Sequence, residues 1–417
     1  MLLLLEVLQK KYVKIHKLLL DKSILIVSYK IGNDKSVGGK RWLNYSNYLS
    51  KMGYSVSILG TNDNIDFKSI DNRIKVYSIT SNYPKVLDKN HQFFFKKIHY
   101  KLSCFYRKLW VEGTIYDKGK HLEFSLTKKV NKIIRENNIR NIIVSGAPFS
   151  LLYFITKHFR NSLNIICDFR DPWSWGDNYG MSNLSKKRFN YENSCENFVL
   201  KYSNHILCAS DDLAIVLNSK LSSYNKKSMV LINSFPNYYT KKFKSKKSNK
   251  ISISHIGTIA IKTEKYWKKF LDLIELSDLN VEVNIYGNNN LYFHEYALIK
   301  RDLNINFFER LSEENLMEKL SNSSFSLLFK KDGFSNTYPT KFFNYIYSRI
   351  PILTFSENGN FTKEIDENKI GIIFNENTTV KDFDTLLTSY DCKGYDNYDV
   401  SKFKIDNQIQ KLVKVFE

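Results

Sequence analysis

The chain has 417 residues, of which 43% are hydrophobic and 25% charged, as in a folded protein of two to three domains rather than a disordered one. No apolar stretch reaches the ~20 residues that a membrane-spanning helix needs, and we expect no secretory signal at the start. The five cysteines are scattered and form no Cys-x-x-Cys pair. This argues for a reducing cytoplasm and against a disulfide framework or a structural zinc.

The excess of basic charge is confined to the first part of the chain. Residues 1–250 hold 43 basic and 18 acidic residues, a net +25, whereas residues 251–417 hold 20 and 24, a net −4. We therefore expect only the first part to meet a polyanion. A nucleic acid, an anionic membrane surface and a phosphorylated acceptor all agree with this charge.

The first half alternates between the patterns of buried strands and of helices. A short apolar run predicts a strand over 24–28, a loop follows over 29–40, and helical spacing begins at 41 and ends at Gly53. With the next strand this makes a βαβ unit and implies a parallel sheet. Further strands are predicted over 56–59, 74–79, 141–145, 164–168, 205–210 and 229–232, and helices over 121–138, 149–160, 185–202 and 211–220.

The pattern restarts after a lysine-rich stretch without acids, which we interpret as a solvated linker. Strands are predicted over 251–256, 281–286, 304–308, 324–329, 351–355 and 370–373, and helices over 263–277, 312–321, 338–348 and 379–388. The predicted fold class is α/β, with two doubly wound Rossmann-like domains facing a central cleft. We place the domains at 1–235 and 251–399, the linker at 236–250, and at 400–417 a C-terminal helix that could pack back on the N-terminal domain.

The segment Asp168-Phe-Arg-Asp-Pro-Trp173 is the most informative motif. It begins at the end of a predicted buried strand, where ligands bind in open α/β sheets. Two carboxylates and an arginine, Asp168, Arg170 and Asp171, lie within four residues and precede Trp173. We predict an active-site role for them, and a structural Arg–Asp pair that ties down a loop is the alternative.

Glycines follow two other predicted strands of the first half. Gly38 and Gly39 end a loop before a helix, where the backbone can approach an anion, although a plain turn fits equally well. Gly146, in Ser145-Gly-Ala-Pro-Phe149, leaves the preceding strand in the same manner as the Asp168 segment. It could shape the same cleft or simply form a strand-to-helix turn.

The second half offers two turns suited to phosphate. Gly257 and Thr258 close its first strand, and Lys262 follows them. Later, a loop leads through Pro339 into a helix whose first turn offers Thr340 and Lys341. A tight turn with surface lysines is the alternative at the first of these places.

Aromatic and basic residues alternate over 91–116, and the apolar stretch 1–20 also contains four lysines. A basic aromatic helix is typical of a membrane interface, and a core helix with snorkelling lysines is the alternative. Stacking on a nucleic acid is formally compatible, but no nucleic-acid-binding module is recognisable, so we predict no nucleic-acid partner.

Together, these motifs resemble those of GT-B glycosyltransferases, specifically family-4-type enzymes of bacterial surface-polysaccharide assembly, over nearly the whole chain. The matching stretches are Val37-Gly-Gly39, Ser145-Gly-Ala-Pro-Phe-Ser150, Asp168 to Trp173, Gly257-Thr258 with Lys262, and Pro339-Thr-Lys341-Phe-Phe-Asn344-Tyr345 before Pro351-Ile-Leu353. The last of these matches is fairly specific at that spacing.

The resemblance implies an enzyme, a hexosyltransferase-like one, that moves a sugar from a nucleotide-sugar donor to a glycan or lipid-linked acceptor. It implies a retaining mechanism with no metal or other cofactor. Catalytic roles would fall to Asp171, Arg170 and Asp168, and the acceptor-side cleft would contain Gly38, Gly39, Gly146 and Trp173. The donor would be bound by Gly257, Thr258, Lys262, Gly287, Thr340, Lys341 and Asn344.

The chain departs from the family at one pair of positions. Many members carry a Glu-x7-Glu pair whose second glutamate binds the donor ribose, and this chain has Asn336 and Asn344 there. An amide offers one acceptor oxygen and no charge, so donor affinity or identity is expected to differ. A catalytically degenerate GT-B scaffold or binding protein and a GT-B sugar-nucleotide 2-epimerase are therefore the alternative functions. We expect a cytoplasmic protein held peripherally on the anionic inner face of the membrane through residues 1–20 and 91–116.

Overall fold

The computed structural model of the protein describes residues 22–31, 37–62, 70–88, 94–234, 250–257, 259, 263–287, 295–296, 303–311, 313–330, 338–356, 359–391 and 393–416. The chain divides into two compact units. The first unit is Met1–Ile232 together with Ile405–Glu417, and the second unit is Asn233–Lys404. The second unit is thus inserted into the sequence of the first.

The first unit is built on a parallel seven-stranded sheet of order β3-β2-β1-β4-β5-β6-β7. Its strands are β1 (Ser23–Ser28), β2 (Ser55–Thr61), β3 (Lys75–Ile79), β4 (Asn141–Gly146), β5 (Asn164–Phe169), β6 (His205–Cys208) and β7 (Ser228–Val230). Its helices are α1 (Val37–Lys51), α2 (Phe94–Trp110), α3 (Glu123–Asn137), α4 (Ser150–Phe159), α5 (Lys186–Tyr202) and α6 (Asp211–Leu221). The central strands are continuous apolar runs because helices cover both faces of such a sheet.

The second unit repeats this architecture with a parallel six-stranded sheet of order β10-β9-β8-β11-β12-β13. Its strands are β8 (Ile251–Ile256), β9 (Val281–Tyr286), β10 (Asn304–Phe308), β11 (Phe325–Phe329), β12 (Ile352–Phe355) and β13 (Gly371–Phe374). Its helices are α7 (Glu264–Leu276), α8 (Glu313–Ser321), α9 (Thr340–Ser348), α10 (Asn360–Glu367), α11 (Val380–Ser389) and α12 (Gly394–Asn397).

Each sheet has one point at which its strand order reverses. In the first unit β1 pairs with both β2 and β4, and in the second β8 pairs with both β9 and β11. Ligands of open α/β sheets bind beyond the carboxyl ends of the strands at such a switch point. The sheet topology therefore predicts ligand binding beyond the ends of β1 and β4 in the first unit, and beyond those of β8 and β11 in the second.

The last helix, α13 (Ile405–Val413), returns to the first unit. Its side chains Ile405, Ile409 and Leu412 are buried in the same apolar cluster as Ile24 and Trp42. The structure places the division between the units at 232/233 and 404/405, and most of the predicted linker 236–250 lies outside the described residues.

The predicted strands of both sheets are confirmed to within two or three residues. The start of the first helix was predicted wrongly. Helix α1 begins at Val37, so Gly38 and Gly39 lie in its first turn rather than in a loop. The short helices α10 and α12 were not predicted, since eight and four residues give too short a pattern to recognise. Among the described residues, no helix is long and apolar enough to cross a membrane.

Candidate functional site

The two polar motifs of the first unit leave its sheet side by side. Strands β4 and β5 pair in parallel, with Ser145 opposite Asp168 and Gly146 opposite Phe169. The segments that follow them, from Gly146 to Ser150 and from Phe169 to Trp173, therefore start at the same edge of the sheet. This is the edge at which the β1/β4 switch point lies.

Asp168 is completely buried and forms the centre of a polar cluster. Its Oδ2 accepts hydrogen bonds from Trp42 Nε1 at 2.7 Å and Ser145 Oγ at 2.9 Å, and its Oδ1 accepts one from Arg41 Nη2 at 3.1 Å. Arg41 Nη2 also donates to the Leu231 carbonyl at 2.5 Å. The carboxylate thus ties α1 to β4 and β5, and its burial leaves it no surface for a substrate.

Arg170 and Asp171 have accessible surface, unlike Asp168. The Arg170 guanidinium donates to the carbonyls of Gly146, at 2.7 Å, and Ala147, at 3.2 Å. Asp171 Oδ2 accepts a hydrogen bond from Tyr179 Oη at 3.2 Å. Arg170 therefore positions the β4 segment, and Asp171 is the carboxylate of the motif that a substrate can reach.

Two buried glutamates of α5 hold the tryptophans that follow. Glu192 accepts hydrogen bonds from Trp173 Nε1 at 2.8 Å and from the Thr114 amide at 2.8 Å, and Lys120 Nζ lies 2.8 Å from it. Glu196 accepts from Trp175 Nε1 at 3.0 Å and from the Ser174 hydroxyl, and Lys220 Nζ lies 3.3 Å away. These contacts fix the main chain directly after Asp171.

Trp173 belongs to the core and not to an open surface. It is completely buried, and its ring stacks on Phe149 with centroids 5.0 Å apart. Gly146 lies beneath the same aromatic ring, because a Cβ there would come within 2.8 Å of Phe149 Cδ1. Both residues therefore shape the segment that contains Asp171 from below.

In the second unit, two glycines touch each other at neighbouring strand ends. Gly257 follows β8 with φ +74°, Gly287 follows β9 with φ +142°, and both dihedrals favour glycine. A Cβ on Gly287 would come within 2.9 Å of Gly257 Cα, and one on Gly257 would come within 3.2 Å of Lys341 Cε. The main chain therefore has no side chain at these two positions, and the side chain of Lys341 lies beside it.

Lys341, in the first turn of α9, is oriented by a histidine. Its Nζ lies 2.9 Å from His255 Nε2, and His255 Nδ1 lies 2.8 Å from the Leu327 carbonyl oxygen. A carbonyl can only accept, so Nδ1 carries the imidazole proton and Nε2 accepts from the lysine. Desolvation lowers the pKa of Lys341 to about 7.

Two of the remaining predicted donor residues lie in α9, and two lie outside the described residues. Thr340 and Asn344 are partly buried in α9, and the Asn344 carbonyl accepts from Ser348 Oγ at 2.9 Å. Thr258, Lys262 and Asn336 lie outside the described residues. Within the described ranges, no group of three or more His, Cys, Asp or Glu side chains could hold a metal ion.

No protein-family model and no curated protein matches the sequence. Solved structures, in contrast, match nearly the whole chain. The lipopolysaccharide outer core galactosyltransferase WaaB in its apo form is 12% identical with a TM-score of 0.58, covering 94% of this chain and 98% of its own. A glycosyltransferase from Rickettsia africae is 14% identical with a TM-score of 0.60, covering 94% and 97%. HepE from Anabaena, in complex with UDP and glucose, is 8% identical with a TM-score of 0.56, covering 94% and 98%.

The chain has the GT-B fold. The bare strand ends of Gly257 and Gly287 and the lysine of α9 all lie in the second unit of this GT-B chain. The Asp171 segment lies in the first unit.

Sequence reasoning missed several residues of this GT-B chain that hold the candidate site. Glu192 and Glu196 are four residues apart on the buried face of α5, which also contains Cys195 and Val199. Acids within an apolar helix face are a detectable sign of buried carboxylates. His255 was given no role by the sequence analysis, and nothing in its local pattern indicates its contact with Lys341, 86 residues later.

Proposed function

We propose that the protein is a glycosyltransferase of family-4 type that moves a sugar from a nucleotide-sugar donor to an acceptor. The observation that carries this proposal is the arrangement of Lys341, His255 and the glycine turns at the ends of β8 and β9. A main chain formed by glycines and a lysine that can carry a positive charge suit the diphosphate of a nucleotide sugar. The similarity in fold to HepE, whose structure contains UDP and glucose, supports the same function.

The donor would be held by the second unit alone. We assign Lys341 to the diphosphate, where its ammonium stabilises the charge that develops on the leaving group as the glycosidic bond breaks. The other donor-side residues, by resemblance, are Gly257, Thr258, Lys262, Gly287, Thr340 and Asn344. In this proposal the reaction is retaining and does not require a metal.

On the acceptor side we assign the chemistry to Asp171, because it is the carboxylate of its motif that is partly exposed. Arg170 and Asp168 act as positioning residues, through the Gly146 carbonyl and through Arg41 and Trp42 respectively. The acceptor is a glycan or a lipid-linked saccharide, and we propose that the protein works peripherally at the inner face of a cell membrane.

The proposal is tested by titrating UDP, GDP and ADP, and their sugars, into the protein by calorimetry. We expect one nucleotide to bind the wild type, and Lys341→Ala to weaken that binding at least tenfold, as for a charge-assisted contact of about 1.5–3 kcal/mol. The matched control Lys363→Ala, which removes an exposed lysine of α10 in the same unit, should bind as the wild type does. Equal affinity of all three proteins would contradict the assignment.

A catalytically degenerate binding protein is the second candidate, and Asn344 is the observation that favours it. An amide at the position of the family's ribose-binding glutamate would weaken donor binding. Donor hydrolysis or transfer distinguishes the two candidates, since a degenerate scaffold binds the nucleotide without turnover. Epimerisation of the sugar at C2, without transfer, would instead identify a 2-epimerase.

A further inference from the structure

Helix α2 presents a continuous apolar surface to the outside of the first unit. Eight side chains between 41 and 82% exposed repeat at helical spacing and form what we call the apolar stripe: Phe94, Phe95, Ile98, Leu102, Phe105, Tyr106, Leu109 and Trp110. Single exposed apolar residues are ordinary, but eight on one helix are not. A core helix with snorkelling lysines, the alternative left open by the sequence, would bury these side chains.

Lysines line both edges of the apolar stripe. Lys97, Lys101 and Lys108 follow one another along one edge at helical spacing, Lys96 lies on the other edge, and all four are exposed. A helix with an aromatic and aliphatic face flanked by lysines is the pattern of an interfacial helix, which lies flat among lipid headgroups. The lysines also disfavour a second copy as the occupant, because the same cations would face each other across that interface.

The opposite side of α2 is fixed to the first unit by polar contacts. Arg107 is buried and donates to the carbonyls of Ile115, at 2.7 Å, and Asp117, at 3.0 Å. Arg188 of α5 donates to the carbonyls of Lys108, at 2.5 Å, and Val111, at 2.8 Å, at the end of the helix. The helix is thus held in a defined orientation with its apolar side outward.

The segment that follows α2 contacts the candidate acceptor site directly. Thr114 Oγ1 donates to the Tyr179 carbonyl at 2.5 Å, and the Tyr179 hydroxyl donates to Asp171. The Tyr116 ring lies against Gly180, where a Cβ would come within 2.6 Å of Tyr116 Cδ2, and Tyr116 Oη lies 2.9 Å from Tyr100 Oη on α2. A chain of contacts therefore joins the apolar stripe's helix to the Asp171 segment.

We propose that the apolar stripe inserts into the headgroup region of an anionic membrane, and that the acceptor reaches Asp171 from that membrane on a lipid anchor. The four lysines beside the stripe and the net +25 of residues 1–250 supply the charge complementarity. The acceptor part of this inference depends on the proposed function, whereas the docking part does not.

Docking is tested by sedimentation of the full chain with vesicles of phosphatidylcholine containing 0 to 40% phosphatidylglycerol, at low and high salt. We expect binding that rises with the anionic lipid and falls with salt. Trp110 is the most exposed of the described tryptophans, so its fluorescence should shift to the blue on insertion, and the shift should be lost in Trp110→Phe. Absence of vesicle binding under all these conditions overturns the proposal.

The location of the contact is tested with a matched pair of double variants. Leu102→Glu/Leu109→Glu changes two stripe residues that are 62 and 65% exposed, and Ile215→Glu/Leu276→Glu changes two that are 64 and 68% exposed elsewhere. Only the first should reduce vesicle binding, by tenfold or more, with unchanged thermal unfolding in both. The proposal is overturned if the two pairs of substitutions have equal effects on vesicle binding. It is also overturned if the wild type forms a dimer that does not bind vesicles and only the stripe pair dissociates that dimer.

The acceptor is identified with the same two double variants. If the acceptor is lipid-linked, the stripe pair should lose transfer to membrane-embedded lipid-linked saccharides while retaining the nucleotide affinity of the wild type. Transfer to water-soluble glycans at the same rate by both pairs would overturn the lipid-linked assignment. If the wild type itself binds no nucleotide, the proposed function is contradicted, but the result on membrane docking is not affected.

Discussion

Lys341 is a cation whose charge depends on what is bound beside it. Burial lowers its pKa to about 7 from an ordinary value of 10.5, and His255 accepts its hydrogen bond without supplying a negative charge. A pKa this close to neutrality lets the unliganded lysine lose its proton far more readily than an ordinary lysine does. A diphosphate beside it would favour the ammonium form, so that nucleotide binding and proton uptake become linked.

We expect the affinity for the nucleotide that binds to fall as the pH rises above 7. The lysine must gain a proton that it no longer holds, while the phosphates are already ionised, so the loss should reach about tenfold per pH unit. Calorimetry between pH 6.5 and 9, in buffers of different ionisation enthalpy, measures both the affinity and the proton uptake.

Lys341→Met is the control for this effect, since it keeps the aliphatic chain and removes the titrating group. Its binding should be weaker than that of the wild type below pH 7, and its affinity should not change above it. A wild type with the same flat profile would show that the lysine does not contact the phosphates.

Asp168 and Asp171 are three residues apart, but the same substitution should reduce stability at Asp168 and sugar transfer at Asp171. Asp168→Asn leaves the buried Arg41 guanidinium without its carboxylate and should cost about 3–5 kcal/mol of unfolding free energy. Asp171→Asn lies at a partly exposed position, so we expect a change within about 0.5 kcal/mol but a loss of sugar transfer. Urea unfolding together with a transfer assay checks both, and an equal loss of stability would refute the distinction.

This contrast also marks how far the site could be predicted from sequence. The motif from Asp168 to Trp173 was located correctly at the end of β5, because buried parallel strands are easily recognised apolar runs. The buried residues of the motif could not be distinguished from the accessible ones, since the burial of Asp168 and Trp173 depends on partners from α1 and α5 that are distant in sequence. The pairing of Lys341 with His255 was hidden for the same reason.

Helix α13 is the element whose role was hardest to derive from its own sequence. Its predicted range, 400–417, is longer than the nine residues that are helical, and its pattern does not state which sheet it covers. The structure shows that it completes the apolar cluster around Ile24 and Trp42. Such contacts depend on the topology of the whole chain rather than on local spacing.

We expect Ile409→Ala to destabilise the first unit by about 2–5 kcal/mol, because the side chain is completely buried and its loss leaves a cavity. Ile215→Ala, at a position 64% exposed in the same unit, should change the stability by less than about 0.5 kcal/mol. Hydrogen exchange should report lost protection in β1 and β2 but not in β8 and β9. Unchanged exchange throughout would show that α13 is not part of this core.

At the scale of the whole molecule, charge and chemistry are divided between the two units in a consistent manner. The first unit has a net charge of +19 and includes the apolar stripe and the Asp171 segment, whereas the second unit has a net charge of only +2 and includes Lys341 and the glycine turns. In the proposed function, the basic unit meets an anionic surface and its acceptor. The second unit needs only a local cation for the donor, so no general excess of positive charge is required there.

Because the second unit is inserted between residues 232 and 405, synthesis of the first unit begins first but ends only after the second unit has been made. Domains usually fold on the ribosome from the N-terminus onward, at about 5–20 residues per second. Residues 233–404 must emerge before α13 does, which takes about 10 to 30 s at that rate. During this interval the nascent first unit lacks Ile405, Ile409 and Leu412 and leaves part of its apolar cluster uncovered. This is the stage of synthesis at which we expect a chaperone to bind the exposed apolar surface of the first unit.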